Sequence, residues 1–260
     1  MADRETMNED QKKGPRFIEH YFRMYDFSEN DGTNHRQRLL GEMNEMVRHM
    51  ILANIPPNYY SYMSKDVIDV WSKDTANDES IDAYEAYLVD LDDLCKDGVG
   101  IYFSGSHGLA KTTASIVILK RALQLNRTAY FITMSDLVEF ITSGWKDSVQ
   151  KAKYQYIISN VDFLVIDDIG RNFKVQNDLA TTFLDKLFVA RSNNKKPTIM
   201  TSNHHISSDS GLFGESLLTL FKSSLFEIKV FGDDIRQNEI SKSLAARIQL
   251  AKDKRDHASF

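Results

Sequence analysis

A short glycine-containing stretch between an apolar segment and a helical segment constrains this chain more than any other feature. Residues 100–104 have the apolar composition of a buried strand, and residues 111–125 repeat apolar side chains at helical spacing. We predict a phosphate-binding loop between them, because backbone N–H groups at a helix N-terminus attract phosphate oxygens. The loop consists of Gly105, Ser106, His107, Gly108, Leu109, Ala110, Lys111, Thr112 and Thr113.

Two side chains of this loop carry the expected chemistry. Lys111 would reach the β- and γ-phosphates of a nucleotide, and the hydroxyl of Thr112 would coordinate magnesium. Such loops usually have glycine directly before the lysine, whereas this chain has Ala110. The added methyl group is tolerable if that residue already has helical backbone angles. His107 is more readily explained as a solvent-facing loop residue than as a phosphate ligand.

Two further apolar segments end in polar residues. Residues 163–166 lead into Asp167 and Asp168, and a second segment leads into Asn203. Ligands bind at the carboxyl ends of the strands in parallel sheets, so these side chains are candidates for the same site. Asp167 would hold magnesium and Asp168 would polarise an attacking water. Asn203 would orient that water or sense the γ-phosphate. The predicted catalytic residues are therefore Asp168, Asn203 and Lys111.

The order of strands and helices after residue 99 indicates the fold. Alternation of short apolar strands with helices predicts a parallel sheet flanked by helices on both faces. Pro56 and Pro57 end a mainly helical region that precedes it. The predicted strands are 100–104, 129–133, 163–166 and 197–201. The predicted helices are 16–53 with a turn at 30–32, 67–71, 82–96, 111–125, one beginning at Ser135 as its N-cap, and 178–192. The first 14 residues are predicted to be disordered.

The two parts of the chain differ in charge. Residues 1–95 carry 10 Lys and Arg against 20 Asp and Glu, whereas residues 96–260 carry 22 against 17. We therefore predict a helical partner-binding region over 1–95 and an ATPase core over 96–260 that ends in a basic helix at 241–256. A well-solvated acidic surface without a partner explains the first region equally well.

The remaining composition excludes several classes of protein. The single cysteine, Cys95, permits neither an internal disulfide nor a cysteine-based zinc site. No apolar run approaches the roughly 18 residues that span a bilayer, and no signal-peptide core is present, so we expect a cytoplasmic protein without a membrane partner. Trp71 and Trp145 are expected to pack in the interior. His204 and His205 lack a third ligand at metal-binding spacing.

Together these motifs resemble those of AAA+ ATPases, and in particular the DnaC/DnaI helicase loaders and the related IstB transposition helpers. The resemblance covers about residues 50–240 and extends to flanking segments at 55–60, 98–105, 129–138, 167–170 and 191–197. It implies ATP and Mg2+ as cofactors and slow ATP hydrolysis. It also implies a hexameric replicative helicase and single-stranded DNA as partners, and a homo-oligomer on the partner or on DNA.

The chain lacks an arginine that members of this family usually have. Such ATPases usually supply an arginine from a neighbouring subunit to the γ-phosphate, and residues 216–229 contain no arginine. Lys222 is the nearest cation, although lysine lacks the planar fork that grips phosphate oxygens. Arg236 resembles the late arginine that contacts nucleotide within the same subunit, and a surface ion pair with Asp233 or Asp234 is its alternative.

Two alternative functions stay open at the level of sequence. The first is an IstB-like helper that activates a transposase on double-stranded DNA with the same ATPase core. The second is a nucleotide-gated adaptor that hydrolyses little ATP and acts through protein binding, which the missing arginine favours.

Overall fold

A five-stranded parallel sheet lies at the centre of the described chain, with the strands in the order β2-β3-β4-β1-β5. The computed structural model describes residues 45–143, 148–170, 178–206 and 215–234. The predicted helices before residue 45, the basic helix at 241–256, Trp145 and Arg236 lie outside these ranges. The strands are β1 (Gly100–Gly105), β2 (Ala129–Thr133), β3 (Phe163–Ile169), β4 (Thr198–Ser202) and β5 (Leu225–Val230).

Nine α-helices accompany the sheet within the described ranges. They are α1 (Glu45–Leu52), α2 (Ser64–Trp71), α3 (Asp78–Val89), α4 (Leu91–Asp97), α5 (Lys111–Gln124), α6 (Met134–Ser143), α7 (Ser148–Asn160), α8 (Asp178–Asn193) and α9 (Glu215–Ser224). Short 3-10 turns lie at Pro57–Tyr59 and Thr75–Asn77. Sequence patterns predicted neither α7 nor the edge strand β5.

Alternating side chains divide the interior into two layers, one on each face of the sheet. Ile101, Phe103, Val165 and Ile199 belong to a buried cluster that includes residues of α1 to α5. Tyr102, Leu164, Ile166 and Met200 belong to a second cluster with residues of α6 to α9. The predicted parallel sheet with helices on both faces is therefore confirmed. Packing continues across residue 95, and the partner-binding role of the preceding region stays a prediction.

Two local predictions differ from the structure. The helix predicted over 82–96 is two helices, α3 and α4, which meet at Asp90 with φ −94° and ψ 17°. Gly98 ends α4 in the left-handed conformation that glycine adopts without steric cost. The predicted N-cap Ser135 is wrong, because α6 already begins at Met134. The hydroxyl of Thr133 accepts the Asp136 N–H at 3.1 Å and so caps the helix instead.

The guanidinium of Arg191 joins the starts of β3 and β4 at the edge where these strands begin. The side chain is only 1% exposed, and its Nε donates to Thr198 Oγ1 at 2.9 Å. Its other nitrogens donate to four carbonyl oxygens, those of Ile158, Val161, Asp162 and Pro197. Burial lowers the pKa of Arg191 to about 9, so the group stays charged at neutral pH. These bonds fix the end of α7 against the two central strands.

In the described part of the chain, no helix has both the length and the apolar character that crossing a bilayer requires. The cytoplasmic location expected from the sequence stays a prediction.

Replacement of Tyr84 by phenylalanine tests an unusual buried hydroxyl. Tyr84 is fully buried, its ring lies 5.3 Å from that of Trp71, and its hydroxyl has no hydrogen-bond partner among the described residues. We expect Tyr84→Phe to leave the free energy of unfolding unchanged or to raise it by up to about 1 kcal/mol in urea titrations. The matched control is Tyr87→Phe on the same helix, whose hydroxyl donates to Val99 O at 2.7 Å. It should lose about 1–2 kcal/mol, and equal losses in both variants would contradict the orphaned hydroxyl.

Replacement of Asp162 by asparagine tests a charged contact near the start of β3. Thr128 donates its N–H and its hydroxyl to Asp162 Oδ2, and Lys196 Nζ lies 3.2 Å from Oδ1. Burial by itself would raise the pKa of Asp162, but these bonds outweigh it and hold the pKa below its usual 3.8.

Because the folded-state pKa is depressed, the carboxylate stabilises the fold above the unfolded pKa, and this contribution is lost as pH falls through the folded pKa. We expect Asp162→Asn to destabilise the protein by about 1–2 kcal/mol at pH 7 in urea titrations, with the difference shrinking in acid below the usual value. The control is Asp93→Asn, whose carboxylate is 81% exposed and should contribute less than about 0.5 kcal/mol. A constant difference from pH 7 to pH 3 would contradict the depressed pKa.

Candidate nucleotide-binding site

The predicted phosphate loop leaves β1 and enters α5 through a tight backbone path. A Cβ atom on Gly105 would lie 2.0 Å from Val230 O, and one on Gly108 would lie 1.9 Å from Asp234 Oδ1. Both positions also have positive φ angles, 142° and 77°, so only glycine fits them without strain. The loop is therefore packed against the end of β5 and the residues that follow it.

Ala110 departs from the expectation of a helical backbone. It has φ 55° and ψ 19°, which is the left-handed region, and it immediately precedes the first residue of α5. An L-residue in this region brings its Cβ close to the following carbonyl oxygen at a cost of roughly 1–2 kcal/mol. The condition for tolerating alanine, a helical backbone at this position, is therefore not met, and the chain has a strained residue beside Lys111.

Lys111 connects the loop to the end of β4. Its Nζ donates to Gly105 O at 2.7 Å, to Ser106 O at 2.6 Å and to Asn203 Oδ1 at 3.1 Å. The residue is 8% exposed. The ammonium is thus held over the loop by neutral oxygens, and the structure brings two of the predicted catalytic residues, Lys111 and Asn203, into direct contact.

Asp167 connects α5 to β3 and β4. Its Oδ1 accepts hydrogen bonds from Thr112 Oγ1 at 2.8 Å and from Thr201 Oγ1 at 2.6 Å. Burial raises the pKa of the Asp167 carboxyl, the two hydroxyls oppose that shift, and the neighbouring Asp168 charge adds to it. A cation at this position would favour the charged form of the carboxyl.

The donors at this point suit magnesium. The hydroxyl oxygen of Thr112 and the carboxylate of Asp167 are hard oxygen donors, the type that Mg2+ prefers. Within the described ranges, no group of three His, Cys, Asp or Glu side chains is placed to hold a metal ion. Mg2+ usually takes one or two protein ligands and completes its shell with water and phosphate oxygens.

A cavity of about 480 Å3 lies over these residues, which is within the size range of small-ligand sites. Its walls include the loop from His107 to Thr113, both carboxylates, and residues 201–203 at the end of β4. Upstream residues, for which sequence patterns gave no site role, complete it: Asn58, Tyr59, Tyr62, Asp66 and Val70. The segment at 55–60 was a family-like motif in sequence, but nothing local indicated that it would face the loop.

Trp71 attaches the upstream helices to the phosphate loop. The predicted packing role is confirmed, since the side chain is fully buried, and its Nε1 also donates to Leu109 O at 2.8 Å. Asn77 extends the connection, because its Nδ2 donates to Trp71 O at 3.0 Å and to Phe231 O at 2.9 Å. The Phe231 N–H in turn donates to Asn77 Oδ1 at 2.8 Å.

Comparison with known proteins shows which proteins this chain resembles. No protein-family model matches the chain. The replicative helicase loader DnaC of Escherichia coli K12 is 26% identical over 117 residues, which are 45% of this chain and 47% of DnaC. The uncharacterized protein YdaV of the same strain is 24% identical over 127 residues, 49% of this chain and 50% of YdaV. The chain therefore matches these curated relatives over about half of their length.

Solved structures agree on the fold. The crystal structure of the DnaC helicase loader superposes with a TM-score of 0.58 at 20% identity and covers 68% of this chain and 100% of that one. DnaI gives a TM-score of 0.56 at 19% identity, with 68% and 95% coverage. The replication initiator DnaA bound to AMPPCP and single-stranded DNA gives 0.57 at 15% identity, with 72% and 56% coverage.

The chain is thus similar in sequence to the helicase loader DnaC and shares its fold with DnaC, DnaI and DnaA. Lys222 is exposed on α9 and lies outside the cavity wall. His107 is exposed at the rim of the cavity. His205 Nδ1 lies 2.8 Å from Ser104 Oγ and 3.2 Å from Glu227 Oε1, so its ring contacts protein groups. Arg236 lies outside the described residues, and its predicted role stays a prediction.

Replacement of Ala110 by glycine in the phosphate loop tests whether the backbone at this residue is strained. Glycine removes the steric cost at φ 55° but adds about 0.5–1 kcal/mol of unfolded-state entropy. We expect a net gain of up to about 1 kcal/mol in the free energy of unfolding of the nucleotide-free protein, measured in urea. The control is Ala86→Gly on the exposed face of α3, which should lose about 1 kcal/mol. A loss of the same size in Ala110→Gly would contradict the left-handed conformation.

Proposed function

We propose that this chain is an ATP-dependent loader of a replicative helicase, which binds ATP with Mg2+ and hydrolyses it slowly as a switch. One observation carries the proposal: the phosphate loop contacts both polar strand ends, through Lys111 to Asn203 and through Thr112 to Asp167. The sequence similarity to the helicase loader DnaC supports the choice among functions of this fold.

Each residue has a role that follows from its position. Lys111 and the N–H groups of the loop would attract the phosphates, and Asn203 would follow the γ-phosphate because it already contacts Lys111. Thr112 and Asp167 would hold Mg2+, which when bound neutralises phosphate charge. Asp168 is half-buried on the cavity wall, where its carboxylate would orient the attacking water.

The relatives support a proposal about the binding partners. DnaC is a replicative helicase loader, and DnaA has been solved with single-stranded DNA. We propose a hexameric helicase and single-stranded DNA as partners for this chain. Residues 1–95 would bind the helicase, and the ATPase cores would assemble on the partner or on DNA. This region carries twice as many acidic as basic residues, so a basic surface on the helicase would complement it.

Slow hydrolysis is expected because residues 216–229 contain no arginine. Lys222, exposed on α9, would act in a neighbouring subunit as the cation at the γ-phosphate. Lysine presents a point charge without the bidentate fork of arginine, so its stabilisation of transition-state charge is weaker. The same observation favours the alternative of an adaptor that binds ATP with little turnover.

The test is affinity capture of the host replicative helicase by the full chain, with ATP and Mg2+ present and then absent. Lys111→Ala removes the ammonium and should weaken binding of a fluorescent ATP analogue by about 10–100-fold. It should also abolish the nucleotide dependence of helicase capture. Lys96→Ala is the matched control, because that lysine is 61% exposed on α4, near the edge where β1 begins, and within the described residues it forms ion pairs with Asp92 and Asp93.

Three results would count against the loader. Nucleotide-independent capture by both variants would remove the switch, and capture of a transposase in place of a helicase would favour the IstB-like alternative. Helicase capture without ATP turnover, with or without single-stranded DNA, would favour the adaptor.

A further inference from the structure

The pairing of β3 with β4 is interrupted at the two carboxylates. Ile166 pairs with Met200, and the next pair joins Ile169 to Ser202. Two residues of β3, Asp167 and Asp168, therefore stand opposite a single residue of β4, Thr201, which is the arrangement of a β-bulge. Asp168 has φ 57°, a left-handed angle that is unusual for a residue with a side chain.

The bulge accounts for a feature that a regular strand would not allow. Consecutive side chains of a strand point to opposite faces of the sheet, yet Asp167 and Asp168 both line the same cavity. A bulge adds a residue and redirects the side chains around it, so it permits two neighbouring carboxylates to reach one site.

The hydroxyl of Thr201 makes two hydrogen bonds within this bulge. Its oxygen accepts the Asp168 N–H at 2.9 Å, and its hydrogen is donated to Asp167 Oδ1 at 2.6 Å. Thr201 is 2% exposed, so water does not readily replace these bonds. A strained backbone angle persists only where its surroundings determine it, and here a single hydroxyl satisfies the N–H that the bulge takes out of the ladder.

We propose that Thr201 is a positioning residue, whose hydroxyl fixes the bulge and thereby sets the orientation of both carboxylates towards the nucleotide. This inference rests on the proposed ATP-binding function. Thr201 acts through Asp167 and Asp168, and the hydroxyl is the essential part, since the methyl group and the backbone would remain in a valine.

Valine at position 201 keeps the shape of threonine and removes the hydroxyl. The Asp168 N–H then has no partner in the bulge, and a return to the regular ladder would turn one carboxylate away from the cavity. Asp167 would keep only its bond from Thr112. Serine at position 201 keeps the hydroxyl and removes the methyl group, so it separates hydrogen bonding from packing.

The experiment compares Thr201→Val, Thr201→Ser and Thr198→Val in the full chain. Thr198 provides the matched control, because it is a buried threonine at the other end of the same strand whose hydroxyl serves Arg191. Three quantities are measured: kcat and KM for ATP, the affinity for a fluorescent ATP analogue with Mg2+ and with EDTA, and hydrogen exchange of the Asp168 amide in nucleotide-free protein.

We expect Thr201→Val to lower kcat by about 10–100-fold with KM changed less than about threefold, and to lose the gain in affinity that Mg2+ provides. Its Asp168 amide should exchange at least about tenfold faster than in the wild type. Thr201→Ser should stay within about threefold of the wild type in kcat, and Thr198→Val should lower thermal stability while leaving kcat unchanged within about twofold.

Wild-type behaviour of Thr201→Val would overturn the inference. A serine variant as defective as the valine variant, or a Thr198→Val variant with the same loss of kcat, would overturn it as well, since packing or general strand damage would then be the cause. If the wild type binds ATP without turnover, the Mg2+-dependent gain in affinity is compared among the same three variants in place of kcat. A wild type that binds no ATP would instead overturn the proposed function and this inference with it.

Discussion

The carboxylate of Asp167 is the point at which one helix and two strands of the site are joined. One oxygen accepts from Thr112 on α5 and from Thr201 on β4, while the residue itself belongs to β3. A buried carboxylate loses the stabilisation of water, and hydroxyl donors restore only part of it, which is why the pKa is raised. A cation beside this carboxylate would favour its charged form. The same carboxylate organises the protein before the ligand arrives.

A separate set of polar contacts joins the strands at the opposite edge of the sheet. There the guanidinium of Arg191 bonds to the end of α7 and to the residues that begin β3 and β4. Asp162 adds a second connection, because it accepts from Thr128 at the start of β2 and pairs with Lys196. At the other edge, the hydroxyls of Thr112 and Thr201 donate to Asp167, and the Thr201 oxygen accepts the Asp168 N–H. Charged side chains therefore lie at both edges of the sheet: Arg191 and Asp162 at one, and Lys111 and Asp167 at the other.

Local sequence patterns predicted the strand and helix limits that depend on neighbouring residues alone. The strand over 129–133 and the start of α5 at Lys111 have the predicted limits, because an apolar run and a helical repeat mark them directly. Thr201 was missed because a β-branched residue in a strand is ordinary, and only the bulge in the neighbouring strand gives its hydroxyl a role. The left-handed angle of Ala110 was missed because alanine carries no signal for it. The cavity wall at Tyr59 and Tyr62 depends on contacts between distant segments, which periodicity does not record.

Contacts between distant segments also connect the phosphate loop to α2. Trp71 bonds to Leu109 O in the phosphate loop, and Asn77 bonds both to Trp71 and to Phe231, 154 residues away. A buried hydrogen bond that is broken without replacement costs about 1–3 kcal/mol, comparable with the energy that separates conformational states of many proteins. A shift of the loop at Leu109 must therefore either carry α2 along or lose the Trp71 bond. Trp71 on α2 and Asn77 are therefore connected by hydrogen bonds to the candidate site, although the phosphate loop itself lies after residue 100.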